Sequence, residues 1–394
     1  MSTAVIVGAV RSPMGKGKPG GALSGLHPVE LLAQTLTGLI GRTGIDPGLV
    51  EDVIVGCVSQ GGEQAATPGR HAWLAAGYPE HVPATTIDRR CGSSQQALHF
   101  AAQSVLAGVH DVVVAGGVES MSRVPMGSAR MGADVYGPSV TERYAPGLVS
   151  QGVAAELVAA RWKIGREEMD EYSARSHARA AAVADSGGFD AEIVPIRVPG
   201  RPEPIFADET IRRGTTAGTL AALRLAFADD AAAERFPGID WSVTAGNSSQ
   251  ITDGASAVLV MSEQRATALG LRPRARVVAM SVVGDDPVAM LTAPIPATRM
   301  VLERAGLAID GLDAVEVNEA FASVPLAWQA EYRIGEERLN PAGGAIALGH
   351  PLGASGTRLF ATLLHHLERT GGRYGLQTMC EAGGMANATV IERL

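Results

Sequence analysis

Val50-Glu51-Asp52-Val53-Ile54-Val55-Gly56 and Leu312-Asp313-Ala314-Val315-Glu316-Val317-Asn318 stand 262 residues apart (312 minus 50) and share one pattern. Each is a short apolar run, and each is preceded at the same distance by a glycine and an aliphatic residue, Gly44-Ile45 and Gly306-Leu307. The same offset places Ser93 on Ser355, each opening a long amphipathic stretch after a glycine-rich turn. Both halves then supply an Ala-Gly-Gly, at 115–117 and at 382–384, which reads as a further match. Several matches in one order imply an internal duplication, two similar halves packed together.

Short apolar runs alternate with helical patterns along the rest of the chain. Residues 4–10, 53–58 and 112–115 read as buried strands, and Met1-Ser2-Thr3 leads into the first. Residues 28–41 and 94–108 carry apolar side chains at helical spacing. Strands alternating with helices predict an α/β protein with a mostly parallel sheet covered on both faces. Residues 121–146 are rich in Gly, Pro, Ser, Met and Arg, and helical patterns follow at 152–162 and 166–185. The stretch 121–249 therefore reads either as an inserted cover for a ligand or as a surface excursion that only packs. The expected division is 1–120 plus 250–272 for the first half, 121–249 for the insertion and 273–394 for the second half.

Composition narrows the class. Hydrophobic residues make up 46% and charged residues 19% of 394, enough for a large core and too apolar for disorder. A net charge of −8 and the lack of a polybasic run exclude nucleic acid and anionic membrane as natural partners. No apolar stretch approaches the ~18 residues of a membrane span. The first residues lack the basic start of a secretory signal, and Glu392-Arg393-Leu394 is not a clear peroxisomal address, so the cytoplasm is the default location. Three cysteines cannot all pair, which turns attention to thiol chemistry.

Three segments concentrate chemistry. In Asp88-Arg89-Arg90-Cys91-Gly92-Ser93-Ser94 a cysteine stands where a strand turns into a helix. Free N–H groups and partial positive charge at a helix start favour a thiolate there, although a buried structural cysteine is the usual fate of a free thiol. In Gly343-Gly344-Ala345-Ile346-Ala347-Leu348-Gly349-His350-Pro351-Leu352-Gly353-Ala354-Ser355-Gly356, five glycines flank one histidine. This segment holds the place in the second half that the Cys91 turn holds in the first, so His350 would face Cys91 as its base. In Met379-Cys380-Glu381-Ala382-Gly383-Gly384-Met385 a second cysteine precedes a glycine turn, a candidate proton donor and acceptor. Asn318-Glu319 ends an apolar strand and is either a structural network or a water-holding part of the site. Cys57 reads as core, inside the strand at 53–58.

Together these segments resemble the thiolase family over essentially the whole chain. The resemblance rests on Arg11-Ser12-Pro13-Met14-Gly15, Cys91-Gly92-Ser93, Gly116-Gly117-Val118-Glu119-Ser120-Met121-Ser122, Asn318 to Ala322, Gly349-His350-Pro351, and Cys380 with its glycines. It implies a five-layered α-β-α-β-α core of two duplicated halves, a loop domain, and assembly as a dimer or a dimer of dimers. It implies acyl-CoA substrates, coenzyme A as co-substrate, and neither a metal nor a permanently bound cofactor. His350 would activate Cys91 to attack a 3-oxoacyl-CoA, and Cys380 would protonate the acetyl-CoA enolate and then deprotonate the incoming CoA. One oxyanion hole would be His350 plus a water held by Asn318; the other would be the backbone N–H groups of Cys91 and Ala382. Matching positions for CoA are Arg212, Thr219, Ala245 and Ser249, with Met290 and Phe321 lining the acyl and pantetheine region.

Two positions depart from the family pattern. The family reads Cys-x-Gly-x-Gly, whereas here it is Cys380-Glu381-Ala382-Gly383-Gly384, and alanine at 382 would strain the turn if that residue needs a positive φ. The His-Met-Gly of acetoacetyl-CoA-forming thiolases is replaced by Ser150-Gln151-Gly152, which favours the degradative type. The alternatives weighed are a biosynthetic acetoacetyl-CoA thiolase, a β-ketoacyl synthase, a non-catalytic acyl-CoA or lipid-binding protein, and a cysteine hydrolase. A synthase would carry a histidine where Asn318-Glu319 stands, and a hydrolase has no use for Cys380.

Overall fold

The computed structural model describes residues 3–394, so Met1 and Ser2 of the expected first strand lie outside the described residues. Among the described residues ten strands form the framework: β1 (Ala4–Arg11), β2 (Gly15–Lys16), β3 (Asp52–Gly56), β4 (Ala84–Ile87), β5 (Val112–Ser120), β6 (Thr252–Ser262), β7 (Ala275–Gly284), β8 (Ala314–Val317), β9 (Tyr374–Glu381) and β10 (Met385–Arg393). Their order is β4-β3-β5-β6-β1 and then β7-β10-β9-β8, with β2 beside β6. The two runs mirror each other, β1 answering to β7, β6 to β10, β5 to β9 and β3 to β8. They meet where β1 pairs with β7, at Val5–Arg276 and Ile6–Ala275.

Side-chain alternation along the strands sorts the molecule into layers. Val5, Val53, Val112 and Leu259 point outward onto the helix Pro28–Thr43. Ile6, Ile54, Val113 and Val258 point the other way, onto the helices Ser93–Leu106 and Ser355–Thr370. Val315, Leu376 and Val390 of the second half cover the helices Pro294–Ala305 and Ser323–Tyr332. Helix, sheet, helix, sheet and helix make five layers, and the two helices that carry the candidate residues at their starts form the middle one.

The duplication is carried by local signals. Gly44 and Gly306 both close a helix with left-handed φ, +68° and +65°, as a helix C-terminus favours. The helices that open at Ser93 and Ser355 keep the 262-residue offset, as do β5 and β9, which start at Val112 and Tyr374. The Ala-Gly-Gly match does not hold. Ala115-Gly116-Gly117 lies inside β5, whereas Ala382-Gly383-Gly384 is the turn between β9 and β10. The sheet is also mixed rather than mostly parallel. Only β3–β4, β3–β5 and β8–β9 run parallel. The β9–β10 pair is a hairpin, and a hairpin is antiparallel by construction.

The segment between β5 and β6 contains the helices Gln151–Trp162 and Arg166–Asp185. It is tied down by buried polar contacts. Arg11 at the end of β1 donates to Glu192 at 2.6 Å and to Asp208 at 2.7 Å, and Glu156 accepts from the backbone of Ser242 and Val243. Among the described residues no helix is long and apolar enough to cross a membrane.

The middle layer depends on close backbone approach. A Cβ on Gly356 would run into the backbone N of Gln95, and one on Gly117 into the carbonyl of Gly353. Gly41, inside the helix Pro28–Thr43, meets nothing. Gly356→Ala is therefore expected to destabilise by about 1–3 kcal/mol through overpacking. Gly41→Ala is expected to stabilise by about 0.5–1 kcal/mol through helix propensity. Chemical denaturation of both variants checks the contrast.

Candidate active site

Cys91 sits on the turn from β4 into the helix Ser93–Leu106 and is 5% exposed. Ser93 shapes the turn: its Oγ donates to the Arg90 carbonyl at 2.6 Å and accepts from the Arg89 N–H at 2.9 Å. Arg90 has φ +50°, a left-handed conformation that costs a non-glycine residue about 1–3 kcal/mol. Strain therefore lies directly before the nucleophile candidate.

His350 follows Gly349, whose φ of +90° and whose contact with Thr252 leave no room for a Cβ. Its backbone N–H donates to Thr252 Oγ1 at 3.0 Å. Its Nδ1 lies 2.6 Å from Ser355 Oγ, which gives its own proton to the Pro351 carbonyl at 2.9 Å. Ser355 must then accept from Nδ1–H, which leaves Nε2 as the acceptor nitrogen, with its lone pair toward Asn318. Asn318 Nδ2 stands 3.4 Å from that Nε2, and Asn318 Oδ1 has no protein partner. Burial, and after it the charge of Arg358, pushes His350 down to about 3, so the ring is neutral at rest.

Cys380 lies near the end of β9, almost fully buried. Gly383 and Gly384 take φ of +97° and +76°, while Ala382 stays out of the left-handed region. The turn thus loads its strain on two glycines, and the alanine at 382 holds an unstrained N–H. Burial, and after it the charge of Glu381, pushes the Cys91 thiol up to about 12, against the backbone N–H groups of Cys91 and Ala382, which pull it down. Burial also raises Cys380, and Cys91 is the next cause, so the two thiols lie within each other's field. Cys91 packs with Leu352, Met121 and Met379, next to the His350 turn.

The pair Asn318-Glu319 divides. Glu319 is structural: it accepts from Tyr172 Oη at 2.8 Å, Ser176 Oγ at 2.7 Å, Asn340 Nδ2 at 3.0 Å and the Ile346 N–H at 3.0 Å. It binds the inserted helix Arg166–Asp185 to the His350 loop, and Asn318 is left facing the histidine. Cys57 is buried and lies just past β3 rather than inside it.

Of the remaining expected residues, Met290 and Phe321 join Cys380 in one apolar cluster, against which Val149, Phe227 and Ala382 pack. Phe227 meets Phe321 edge to face at 5.7 Å, and Gly152 leaves the space its ring occupies. Arg212 is exposed and reaches Gln250 at 3.2 Å. Ala245 is exposed, and Ser249 donates its N–H to the Ala320 carbonyl at 2.9 Å. The Thr219 hydroxyl is occupied in a capping box with Thr216, so only its exposed surface is open to a ligand.

Sequence reading missed several residues. Ser355 was assigned only as a helix start, although its spacing from His350 also lets it orient the ring. Glu119 accepts from the N–H groups of Val58, Ser59 and Gly353 and from Gln64, clasping three loops around the site. Its signal was a carboxylate at the end of an apolar strand. Phe227 carried no signal beyond being a lone aromatic.

Two family models match the chain: the thiolase N-terminal domain over residues 4–264 and the thiolase C-terminal domain over residues 271–393. The chain belongs to the thiolase family. It is 49% identical over 403 residues to a steroid 3-ketoacyl-CoA thiolase, FadA6, of Mycobacterium tuberculosis, covering 100% of this chain and 95% of that protein. It is 43% identical over 401 residues to a 3-ketoacyl-CoA thiolase of Klebsiella pneumoniae, covering 100% of both. The crystal structure of the Bacillus anthracis acetyl-CoA acetyltransferase superposes with a TM-score of 0.88 at 39% identity, covering 100% of this chain and 99% of that one.

Within this thiolase, Ser355→Ala should leave the fold intact and free the His350 ring to rotate. Misplacement of a base on this scale lowers turnover about 10- to 100-fold. Steady-state kinetics with a thermal melt checks it, and an unchanged rate would remove Ser355 from the site.

Proposed function

We propose that this thiolase catalyses the reversible, CoA-dependent cleavage of 3-oxoacyl-CoA to acetyl-CoA and a shortened acyl-CoA, through an acyl group carried on Cys91. The observation that carries the reading is the pairing of two buried thiols, Cys91 and Cys380, with the N–H groups of Cys91 and Ala382 turned to the first. A hydrolase or a binding protein has no need of the second thiol.

His350 Nε2 takes the Cys91 proton. Each group alone is hard to charge in this buried setting, but the transfer charges both together, and their attraction in a low dielectric offsets much of the desolvation. The thiolate adds to the 3-keto carbon, and the oxyanion falls to the N–H groups of Cys91 and Ala382. The C2–C3 bond then breaks, with the enolate oxygen held by His350 and a water on Asn318. In support, Asn318 Oδ1 lacks a protein partner. Cys380 gives the enolate carbon its proton and later recovers one from the CoA thiol, which takes the acyl group from Cys91. Preorganised donors at such oxyanions are each worth roughly 2.7–4 kcal/mol.

Residues 121–249 would cover the CoA, with Arg212, Thr219, Ala245 and Ser249 along its path. Met290, Phe321 and Phe227 would enclose the acyl and pantetheine arm. The relative named for steroid 3-ketoacyl-CoA and the absence of a histidine at Ser150-Gln151-Gly152 both favour degradation over acetoacetyl-CoA synthesis. The unpaired edge of β4 and the exposed Phe100 and Leu106 suit assembly of copies into a dimer or a dimer of dimers.

Wild type is expected to cleave longer 3-oxoacyl-CoA thioesters better than acetoacetyl-CoA, and Cys91→Ala to cleave neither. Loss of thioester monitored with and without CoA checks this. A folded wild type inert toward every 3-oxoacyl-CoA overturns the proposal, and a strict preference for acetoacetyl-CoA replaces it with the biosynthetic reading.

A further inference from the structure

Glu381 stands between Cys380 and Ala382 at the end of β9, where the family pattern constrains no residue type. Its side chain is fully buried, and neither carboxyl oxygen has a hydrogen-bond partner. A Cβ on Gly92 would run into Glu381 Oε1, so the carboxyl lies on the turn that carries Cys91. Gly92 is the N-cap of the helix Ser93–Leu106, and no side chain caps that end. A carboxylate in this place draws on the same positive helix end that a Cys91 thiolate needs; a carboxylic acid does not.

The surroundings of Glu381 contain both signs of charge. On the Cys91 turn, Arg89 favours ionisation of Glu381 and Asp88 opposes it. From β10 the Asn387 N–H points toward the carboxyl without closing a hydrogen bond. On the helix Ser93–Leu106, His99 is held neutral, pushed down to about 3 by burial and then by Arg89. Arg90 bears on Cys91 itself, and Cys380 is the neighbour on Glu381's own strand. Arg89 Nε is also without a partner, so the two side chains make no ion pair through it. With no hydrogen bond closed on either oxygen, the buried group is far easier to keep as the acid than as the anion.

We propose that Glu381 is a positioning residue of the thiolase reaction, held as the neutral acid beside Cys91, and that loss of its proton to solvent suppresses formation of the Cys91 thiolate and limits the enzyme at alkaline pH. The electrostatics of the site agree with this. Burial pushes the Glu381 carboxyl up to about 8, which sets the window. An ionised Glu381 raises the pKa of Cys91 and of Cys380. Folding favours the protonated form, so the stability this group contributes is complete below the ordinary carboxylate range and is lost as pH rises through about 8.

This inference rests on Cys91 being the nucleophile, and the experiment separates the two. Wild type and Glu381→Gln, as full chains, are alkylated with iodoacetamide from about pH 6 to about pH 10. Label on Cys91 is followed by peptide mass spectrometry, and turnover and melting temperature are measured over the same range. Above about pH 8 the rate of label at Cys91 is expected to be about ten-fold higher in Glu381→Gln than in wild type, as a pKa lower by about one unit gives. The alkaline loss of turnover and the fall in melting temperature seen in wild type are expected to be smaller in the variant. Superimposable profiles with Cys91 labelled in both proteins overturn the role of Glu381 alone. Absence of label on Cys91 in both overturns the nucleophile and this inference together. If the variant does not fold, infrared spectra of wild type decide. Glu316 is a second buried carboxyl pushed up to about 8, so the spectra are taken in Glu316→Gln as well. A buried protonated-carboxyl band lost near about pH 8 in both proteins supports the proposal, and its absence from Glu316→Gln overturns it.

Discussion

Two helices meet start to start in the middle layer, and their backbones nearly touch. Gly56, Gly117, Gly353 and Gly356 are glycines because the partner backbone or the facing loop occupies the volume of a Cβ. Thr357 donates its N–H to Ser94 Oγ across this contact at 3.0 Å. Two rigid elements are thereby fixed with their N-termini together, and each presents one reactive side chain on the turn just before it. Ser93 and Ser355 hold the two turns through the same device, a hydroxyl donating back to a carbonyl. The separation of Cys91 and His350 follows from helix packing rather than from loop conformation, as a preorganised site requires. Glu119 then ties the flanking loops to that contact, and Glu319 ties the inserted segment to it.

The second constraint is dryness. Cys91, Cys380, His350 and Glu381 are all buried, and burial is the first cause of every shift in their protonation. Each is pushed toward its neutral form, so the resting site carries no net charge of its own. In the proposed mechanism, charge is created only when a proton passes between partners, at positions already faced by fixed N–H groups. Such a site favours charge that develops in pairs during reaction over charge that persists. The acid form of Glu381 fits this logic, since a standing anion would oppose each thiolate in turn.

Much of this was legible in the amino-acid sequence, for physical reasons. The duplication shows because glycine at a helix C-terminus and short β-branched runs are local signals. Cys91 and His350 show because a reactive residue in a glycine-rich turn before a helix is hard to explain by packing. The Ala-Gly-Gly coincidence misled because three small residues serve equally inside a crowded strand and in a hairpin turn. The doubt over Ala382 was settled by which residues of the turn take positive φ, a property of the hairpin register that no spacing reveals. The roles of Glu119, Phe227 and Glu381 depend on neighbours as much as 289 positions away in the chain, as Gly92 is from Glu381 (381 minus 92), and pairing at that distance has no local trace. Ser355 is only five positions from His350, but the direction of its hydroxyl is set by the turn between them.

The central claim is that Cys91 carries the acyl group between two half-reactions. The most direct test is to mix the full chain with a 3-oxoacyl-CoA in the absence of free CoA, quench it, and measure peptide masses. One equivalent of acetyl-CoA is expected to be released, with the shortened acyl group found as a thioester on Cys91 and discharged when CoA is added. An acyl group on Cys380 or Cys57, or cleavage with no covalent adduct, would contradict it.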